Sequence, residues 1–453
     1  MKTISGLTEL TPPRDQAFAY LGQRLLRLGK STRSRHLWAD KSFRERPLLL
    51  LGEDDAATNS FLLQTAIRDS SQGHPVLFVD CTCDRTLLDT LHEWCYHRLK
   101  KNILCLAPAS PLEDLSATWN PLICPALGKG AVAQSIMTCF SWMRSSSRAR
   151  NLEFQNNAFN LLFRALEEGN VAFNMDDLQN LLESDGGLES LQEKKNFENS
   201  APLSDLLEVK EKEAKYLRKL SELLTYLGLF SHWKLGSYQP ALDLHAFVQS
   251  NNLLYVGLHR PLREPSSAAL GNLLLNQILL LLDQIPDLPP MTLVTNLGES
   301  FLDEDAAEKI LEKGTDKVRT VIGCRSLRDL KLASKSTAAH LAESQTTVAL
   351  LSTSEAASVE WFSDLVARRS PETTPPLGDT PQLLRPGHCL LNTAGVVGCM
   401  AVELPALPLA GNIRFQAHAV PPAKTNTKPG LYAHRIQEQE EEEDKGEEKA
   451  GEE

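Results

Sequence analysis

Arg46-Pro47-Leu48-Leu49-Leu50-Leu51-Gly52-Glu53-Asp54-Asp55-Ala56-Ala57-Thr58-Asn59-Ser60 is the stretch that decides the fold. Four consecutive leucines without polar alternation predict a strand covered on both faces. Gly52 opens a tight loop, and the next segment, Phe61 to Ile67, has helical period. Strand, glycine turn and helix in this order mark the place where a nucleotide-binding α/β fold keeps its phosphate loop. The second glycine and the lysine that such a loop needs are missing.

The chain on either side repeats the strand and helix rhythm. Gly73-His74-Pro75 predicts a turn, Val76 to Val79 a second buried strand ending at Asp80, Arg85 to Leu99 a helix, and Asn102 to Leu106 a third strand. This alternation implies right-handed crossovers and a parallel sheet. After Trp119-Asn120-Pro121-Leu122 the rhythm changes. From Ala131 to Phe247 the periods are helical, with amphipathic segments at Leu152 to Leu166, Met175 to Leu182 and Leu203 to Leu229, and a polar, flexible connection at Glu183 to Ser200. Strands resume at Leu253 to Leu258, Thr292 to Val294, Val318 to Gly323 and Thr347 to Leu351, with a long apolar helix at Ser267 to Leu282. Cys389 to Asn392 and Gly398 to Val402 flank Thr393-Ala394-Gly395 as a closing hairpin. The expected layout is an N-terminal amphipathic helix (Gln16 to Leu28) and basic arm over 1–45. A discontinuous α/β domain over 46–125 and 248–408 follows, with an inserted all-α domain over 126–247 and a disordered acidic tail over 409–453.

A chain of 453 residues with 42% apolar and 23% charged residues buries a large core in two or three domains. The longest apolar helical stretch, Leu270 to Leu282, is interrupted by Asn272 and Asn276 and is too short to cross a bilayer. Nine cysteines without even spacing fit a reducing compartment. The expected location is therefore cytoplasmic, with membrane association only through partners. The net charge of −11 is uneven: Glu438 to Glu453 holds ten acidic and two basic residues, whereas Arg24 to Arg46 holds eight basic and two acidic. In the basic arm, Arg33, Arg35, Arg44 and Arg46 are the candidates for weak DNA contact, against the simpler reading of a solvated basic helix. The acidic run is either a solubilising terminus or a tether for a basic partner.

Taken in order, these pieces resemble the type IV secretion and conjugation coupling proteins of the TraD/TraG kind, which are RecA-like DNA-translocating ATPases. Arg46 to Ser60 stands at that family's phosphate loop. Gly73 to Asp84 is similar to its strand ending in an Asp-Pro-Lys-Gly-Asp segment. Trp119-Asn120-Pro121-Leu122 resembles its aromatic-Asn-Pro-Leu signature before an all-α insertion, and Leu254 to Leu282 its strand and long helix. Leu311 to Gly314 through Arg325 to Leu330 resembles its last motor motif, and Pro386-Gly387-His388 its closing strands. The likeness implies a RecA-like P-loop-type fold over roughly residues 40 to 408. It also implies that the chain is a degenerate member. Gly52 survives, but Ala57 takes the second glycine, Thr58 the lysine and Asn59 the hydroxyl residue, while Glu53, Asp54 and Asp55 add carboxylates to a polyanion pocket. Thr295 and Asn296 replace the family's Asp-Glu pair, which supports Mg²⁺ and activates water. Arg325 replaces its late glutamine, and Thr315 its Lys-Gly-Arg arginine.

Other candidate chemistry is weaker. Cys81, Cys83, His92, Cys95 and His97 lie close in sequence, but their spacing matches no zinc module. Asp84 reads as a helix cap before Arg85, and Asp303 to Asp305 as first-turn charges. The resulting expectation is a catalytically inactive coupling-protein-like subunit without a cofactor. It would bind or scaffold other secretion or conjugation subunits, an active paralogous ATPase among them. Two alternatives stay open: an active ATP- and Mg²⁺-dependent DNA translocase with a divergent loop, and a cytoplasmic adaptor sharing only the fold.

Overall fold

The computed structural model describes residues 2–4, 7–10, 26–31, 36–39, 46–138, 149–184, 186–212, 233–259, 265–297, 302, 310, 317–333, 346–369, 384–393, 400–404 and 413–416. Its strands are β1 (Lys2–Ile4), β2 (Leu7–Leu10), β3 (Leu26–Ser31), β4 (His36–Ala39), β5 (Leu48–Leu51), β6 (Val76–Asp80), β7 (Ile103–Leu106), β8 (Leu253–Gly257), β9 (Met291–Asn296), β10 (Val318–Cys324), β11 (Thr347–Leu351), β12 (His388–Asn392) and β13 (Met400–Glu403). All belong to one sheet, in the order β1-β2-β4-β3-β13-β12-β11-β5-β10-β9-β6-β8-β7. From β11 to β7 every neighbouring pair is parallel. From β11 to β1 every pair is antiparallel.

The chain divides into two compact units: 1–116, 244–275 and 285–418 in the first, and 117–243, 276–284 and 419–453 in the second. The sheet lies in the first. β5 is buried at every position, as its four leucines require, and pairs in parallel with β10 on one side and β11 on the other. Helix α1 (Asp55–Ser71) leaves β5 and leads to β6, which lies beyond β10 and β9. The strand order therefore changes direction at β5, and the crevice outside the carboxyl ends of the strands opens there. Phe61, Leu62, Leu63 and Ala66 of α1 are buried. Gly73 (φ +84°) supplies the reversal after the helix that a side chain would strain.

The second unit contains α3 (Lys129–Thr138), α4 (Ala149–Glu168), α5 (Met175–Glu183), α6 (Gly187–Gln192) and helical residues 201–212, while α2 (Arg85–His92) belongs to the first. The Trp119-Asn120-Pro121-Leu122 signature is a fastening point. Asn120 is fully buried; its Nδ2 donates to the carbonyls of Phe173 (2.9 Å) and Ser237 (3.2 Å), and its Oδ1 accepts from the Leu122 amide. Gln277 Nε2 donates to the Pro121 carbonyl at 2.7 Å. A buried amide with partners on both ends fixes three segments at once.

Several expectations are corrected. The helix after Gly52 begins at Asp55, not Phe61, so Asp55 to Asn59 are helical and not loop. In the expected N-terminal helix, residues 26–28 belong to β3; Leu26-Arg27-Leu28 alternates with strand period. Residues 16–25 of that expected helix lie outside the described residues. The stretch 183–200 is a packed corner and not a flexible connection: Leu188, Leu191 and Phe197 are buried, and the Phe197 ring covers Gly169 so closely that a Cβ there would stand 2.1 Å from it. The polar majority of that stretch masked its three apolar anchors. Finally, residues 413–416 of the expected disordered tail are placed, with Phe415 buried.

Candidate functional site

The crevice at the carboxyl end of β5 is built from β5, α1 and the segments leaving β9, β10 and β11. Gly52 (φ +148°) donates its amide to the Cys324 carbonyl at 3.0 Å, and a Cβ there would meet Leu351 Cβ at 2.8 Å and Ser352 O at 3.0 Å. Only glycine fits so close to β11. The three acids that follow are each held by a different segment. Glu53 accepts from the Ser354 hydroxyl (2.9 Å) and amide (3.2 Å). Asp54 Oδ2 accepts from the Gly387 amide at 2.7 Å. Asp55 forms a bidentate pair with Arg325, at 2.7 and 3.2 Å, with both side chains half-exposed.

Asp54 also caps α1. Its Oδ1 accepts from the Ala57 amide at 3.0 Å, while its carbonyl accepts the Thr58 amide. A helix N-terminus presents free amides and positive partial charge to an anion. Here a carboxylate of the chain itself takes that place. Ala57 and Thr58 are buried, and Thr58 Cγ2 stands 2.8 Å from where a Cβ of Gly323 would be. The lysine position of a phosphate loop is thus directed at the β10 backbone. Asn59 is partly buried.

On the opposite wall Thr295 is fully buried, its hydroxyl 3.4 Å from the Asn296 carbonyl, and Asn296 is paired in register with Asp80. Both side chains are neutral. The segments around this crevice carry Gly52, Asp55, Ala57, Thr58, Asn59, Thr295, Asn296 and Arg325. Three groups that a Mg²⁺-nucleotide site uses are changed here. The Ala57 amide at the head of α1 is taken by Asp54, no ammonium group stands at 58, and no carboxylate stands at 295 or 296 to balance a cation.

Of the four candidate arginines of the basic arm, Arg46 is described. Arg46, at the other end of β5, is half-buried and donates to the Thr393 hydroxyl at 3.4 Å. Arg33, Arg35 and Arg44 lie outside the described residues, as do 311–316, including Thr315, and 303–305. Cys81, Cys83 and Cys95 are buried thiols, and burial pushes those of Cys83 and Cys95 up to about 12. His92 stacks with Tyr96 and meets His97 edge-on. Among the described residues, no cluster of histidine, cysteine and carboxylate has metal-ligand geometry.

Sequence reasoning missed three parts. Asp80, expected only as the end of the second strand, is an organiser: it accepts from the Thr82 amide and hydroxyl, the Asp84 amide and the Tyr255 hydroxyl (2.7 Å). Burial, together with the Asp80 charge, raises the Tyr255 pKa well above its usual value. Gly387 and Ser354 are distant in sequence, and nothing local signals that they bind Asp54 and Glu53. The cap itself was signalled by Asp before Asp-Ala-Ala, a helix-start pattern.

The sequence matches no family model and no curated protein. Solved structures do share the fold. VirB4 of Thermoanaerobacter pseudethanolicus is 14% identical and superposes with a TM-score of 0.53 over 85% of this chain and 97% of that one. The plasmid coupling protein TrwB bound to a non-hydrolysable ATP analogue is 12% identical, with a TM-score of 0.57 over 91% and 97%. TrwB bound to ADP and Mg²⁺ is 13% identical, with a TM-score of 0.53 over 92% and 97%. The expected RecA-like architecture is therefore present, at identities that speak for the fold alone.

Proposed function

We propose that this chain is a non-catalytic subunit of a conjugative DNA-transfer or type IV secretion apparatus, in which it binds or scaffolds other subunits. The observation that supports a loss of catalysis is Asp54, seated at the N-terminus of α1, where a phosphate-loop fold receives a phosphate. The assignment to transfer rests on the shared architecture with VirB4 and TrwB, which spans most of both chains. In this reading the chain uses no nucleotide or Mg²⁺ of its own. Its partners are other secretion subunits, an active paralogous ATPase among them, and a basic surface for the acidic run 438–453. Among the described residues no helix is long and apolar enough to cross a membrane, so membrane contact in this reading comes through partners. Any DNA contact belongs to Arg33, Arg35 and Arg44, and such binding would weaken steeply with salt.

Affinity purification of the tagged chain from its native host tests the assignment. Recovery of a coupling-protein or VirB4-type ATPase supports it. Recovery of no transfer component, with or without residues 438–453, contradicts it.

A further inference from the structure

Outside the crevice, the first unit carries a second recognition geometry. A four-residue segment, Ile413 to Gln416, lies against α2 and the π-helical turn Glu93–Arg98 that continues it. Phe415 is gripped at three points. Its amide donates to Asp89 Oδ1 at 2.8 Å, its carbonyl accepts from Arg85 Nη2 at 2.7 Å, and its ring meets the His92 ring edge-on at 5.1 Å. The grip is preorganised: Arg85 Nε binds both oxygens of Asp89 at 2.9 and 3.0 Å, so the carboxylate is fixed before it accepts the amide. His92 is itself stacked on Tyr96.

We propose that this face is a peptide-recognition site for an extended segment carrying an aromatic residue, filled in this molecule by the chain's own Phe415. Phe415 joins the apolar cluster of the first unit, and two further features mark the contact as recognition of a docked segment. Both polar contacts go to main-chain atoms of the docked residue, so they read a backbone of any sequence, while the His92 slot selects the ring. The flanking residues Ile413, Arg414 and Gln416 are exposed, and only Phe415 is buried, at 4% exposure. Ile413 is the exposed large apolar residue among those described. Beside the anchor, a cleft of about 410 Å³ lined by Arg85, Thr86, Asp89 and Arg414 has room for a longer ligand. The site takes a short extended peptide with a central aromatic, and a partner presenting one would displace residues 413–416. The inference is independent of the nucleotide reading.

The test uses a fluorescent peptide of residues 411–418 and the full chain with Phe415→Ala. The peptide is expected to bind the variant saturably, to bind the native chain at least tenfold more weakly, and to lose at least tenfold when Arg85→Ala is added. A peptide with alanine at the phenylalanine position is expected not to bind. No binding to a folded Phe415→Ala chain, or equal binding to all three proteins, overturns the proposal. Should Phe415→Ala fail to fold, a protease site inserted between residues 405 and 412 of the otherwise native chain serves instead. After cleavage the labelled peptide is expected to enter the site, and its failure to bind overturns the proposal equally.

Discussion

Arg325, at the end of β10, closes a two-pronged ion pair on Asp55 in the first turn of α1. The same turn holds Asp54 on Gly387 and Glu53 on Ser354. Three consecutive acids therefore fasten the segments after β10, after β11 and before β12 to the end of β5. In sequence they look like charges that repel a polyanion. In the fold they are ligands for the chain's own donors.

The three acids should differ in weight. Asp54 is both a helix cap and the acceptor of the Gly387 amide, so Asp54→Ala should cost about 1–2 kcal/mol. Asp55 and Arg325 are half-exposed, and solvent screening limits their pair to less than about 1 kcal/mol, with a loss at high salt. Urea denaturation of the two variants measures this. Equal costs for Asp54→Ala and Asp55→Ala would contradict the seating of Asp54.

Gly52→Ala should be more damaging than a surface change. The new Cβ meets Leu351 Cβ at 2.8 Å, and φ of +148° is strained for alanine. A loss on the order of 1–3 kcal/mol is expected, read as a lower denaturation midpoint. A variant as stable as the native chain would show that β11 moves aside freely.

Thr58→Lys should not rebuild a phosphate loop. Thr58 is buried against Gly323, so an ammonium group there has to displace packed backbone or remain buried without a partner. Even with Ala57→Gly and Asn59→Thr added, no saturable nucleotide binding is expected while Asp54 caps the helix. Binding restored by these three changes alone would mean that Asp54 leaves its seat readily.

How much of this was legible in the sequence depended on distance along the chain. The continuous apolar runs at Leu48, Val76, Leu253 and Thr347 gave their strands directly, because a strand covered on both faces needs no polar alternation. The loop from Gly52 to Asn59 was marked by the order of strand, turn and helix, whereas Thr295, Asn296 and Arg325 were singled out only by the resemblance to coupling proteins. What those residues do there did not follow. The partners of Glu53 and Asp54 are Ser354 and Gly387, about three hundred residues away, and no local pattern encodes such contacts. Phe415 was lost for a related reason: a single aromatic anchor in a polar, proline-rich stretch does not outweigh its surroundings.

The second unit should show a pH dependence traceable to Asp177. This carboxyl is buried, accepts from the Asn174 amide and the Tyr238 hydroxyl, and is pushed up to about 6, chiefly by burial. An unfolded aspartate titrates near ~3.9. The folded state thus holds the proton more tightly than the unfolded state. Its stabilising contribution is complete below pH ~4 and is lost as pH rises through about 6, an effect on the order of 2–3 kcal/mol. Asp177→Asn should flatten the difference in stability between pH 4.5 and 7.5. An unchanged slope would remove Asp177 as its source.

The most direct test of the central claim is equilibrium titration of the purified chain with a fluorescent ATP analogue in the presence of Mg²⁺. With Asp54 seated at the N-terminus of α1 and no lysine at position 58, no saturable binding is expected up to millimolar nucleotide. Saturable micromolar binding that ADP displaces and Gly52 substitution abolishes would contradict the account.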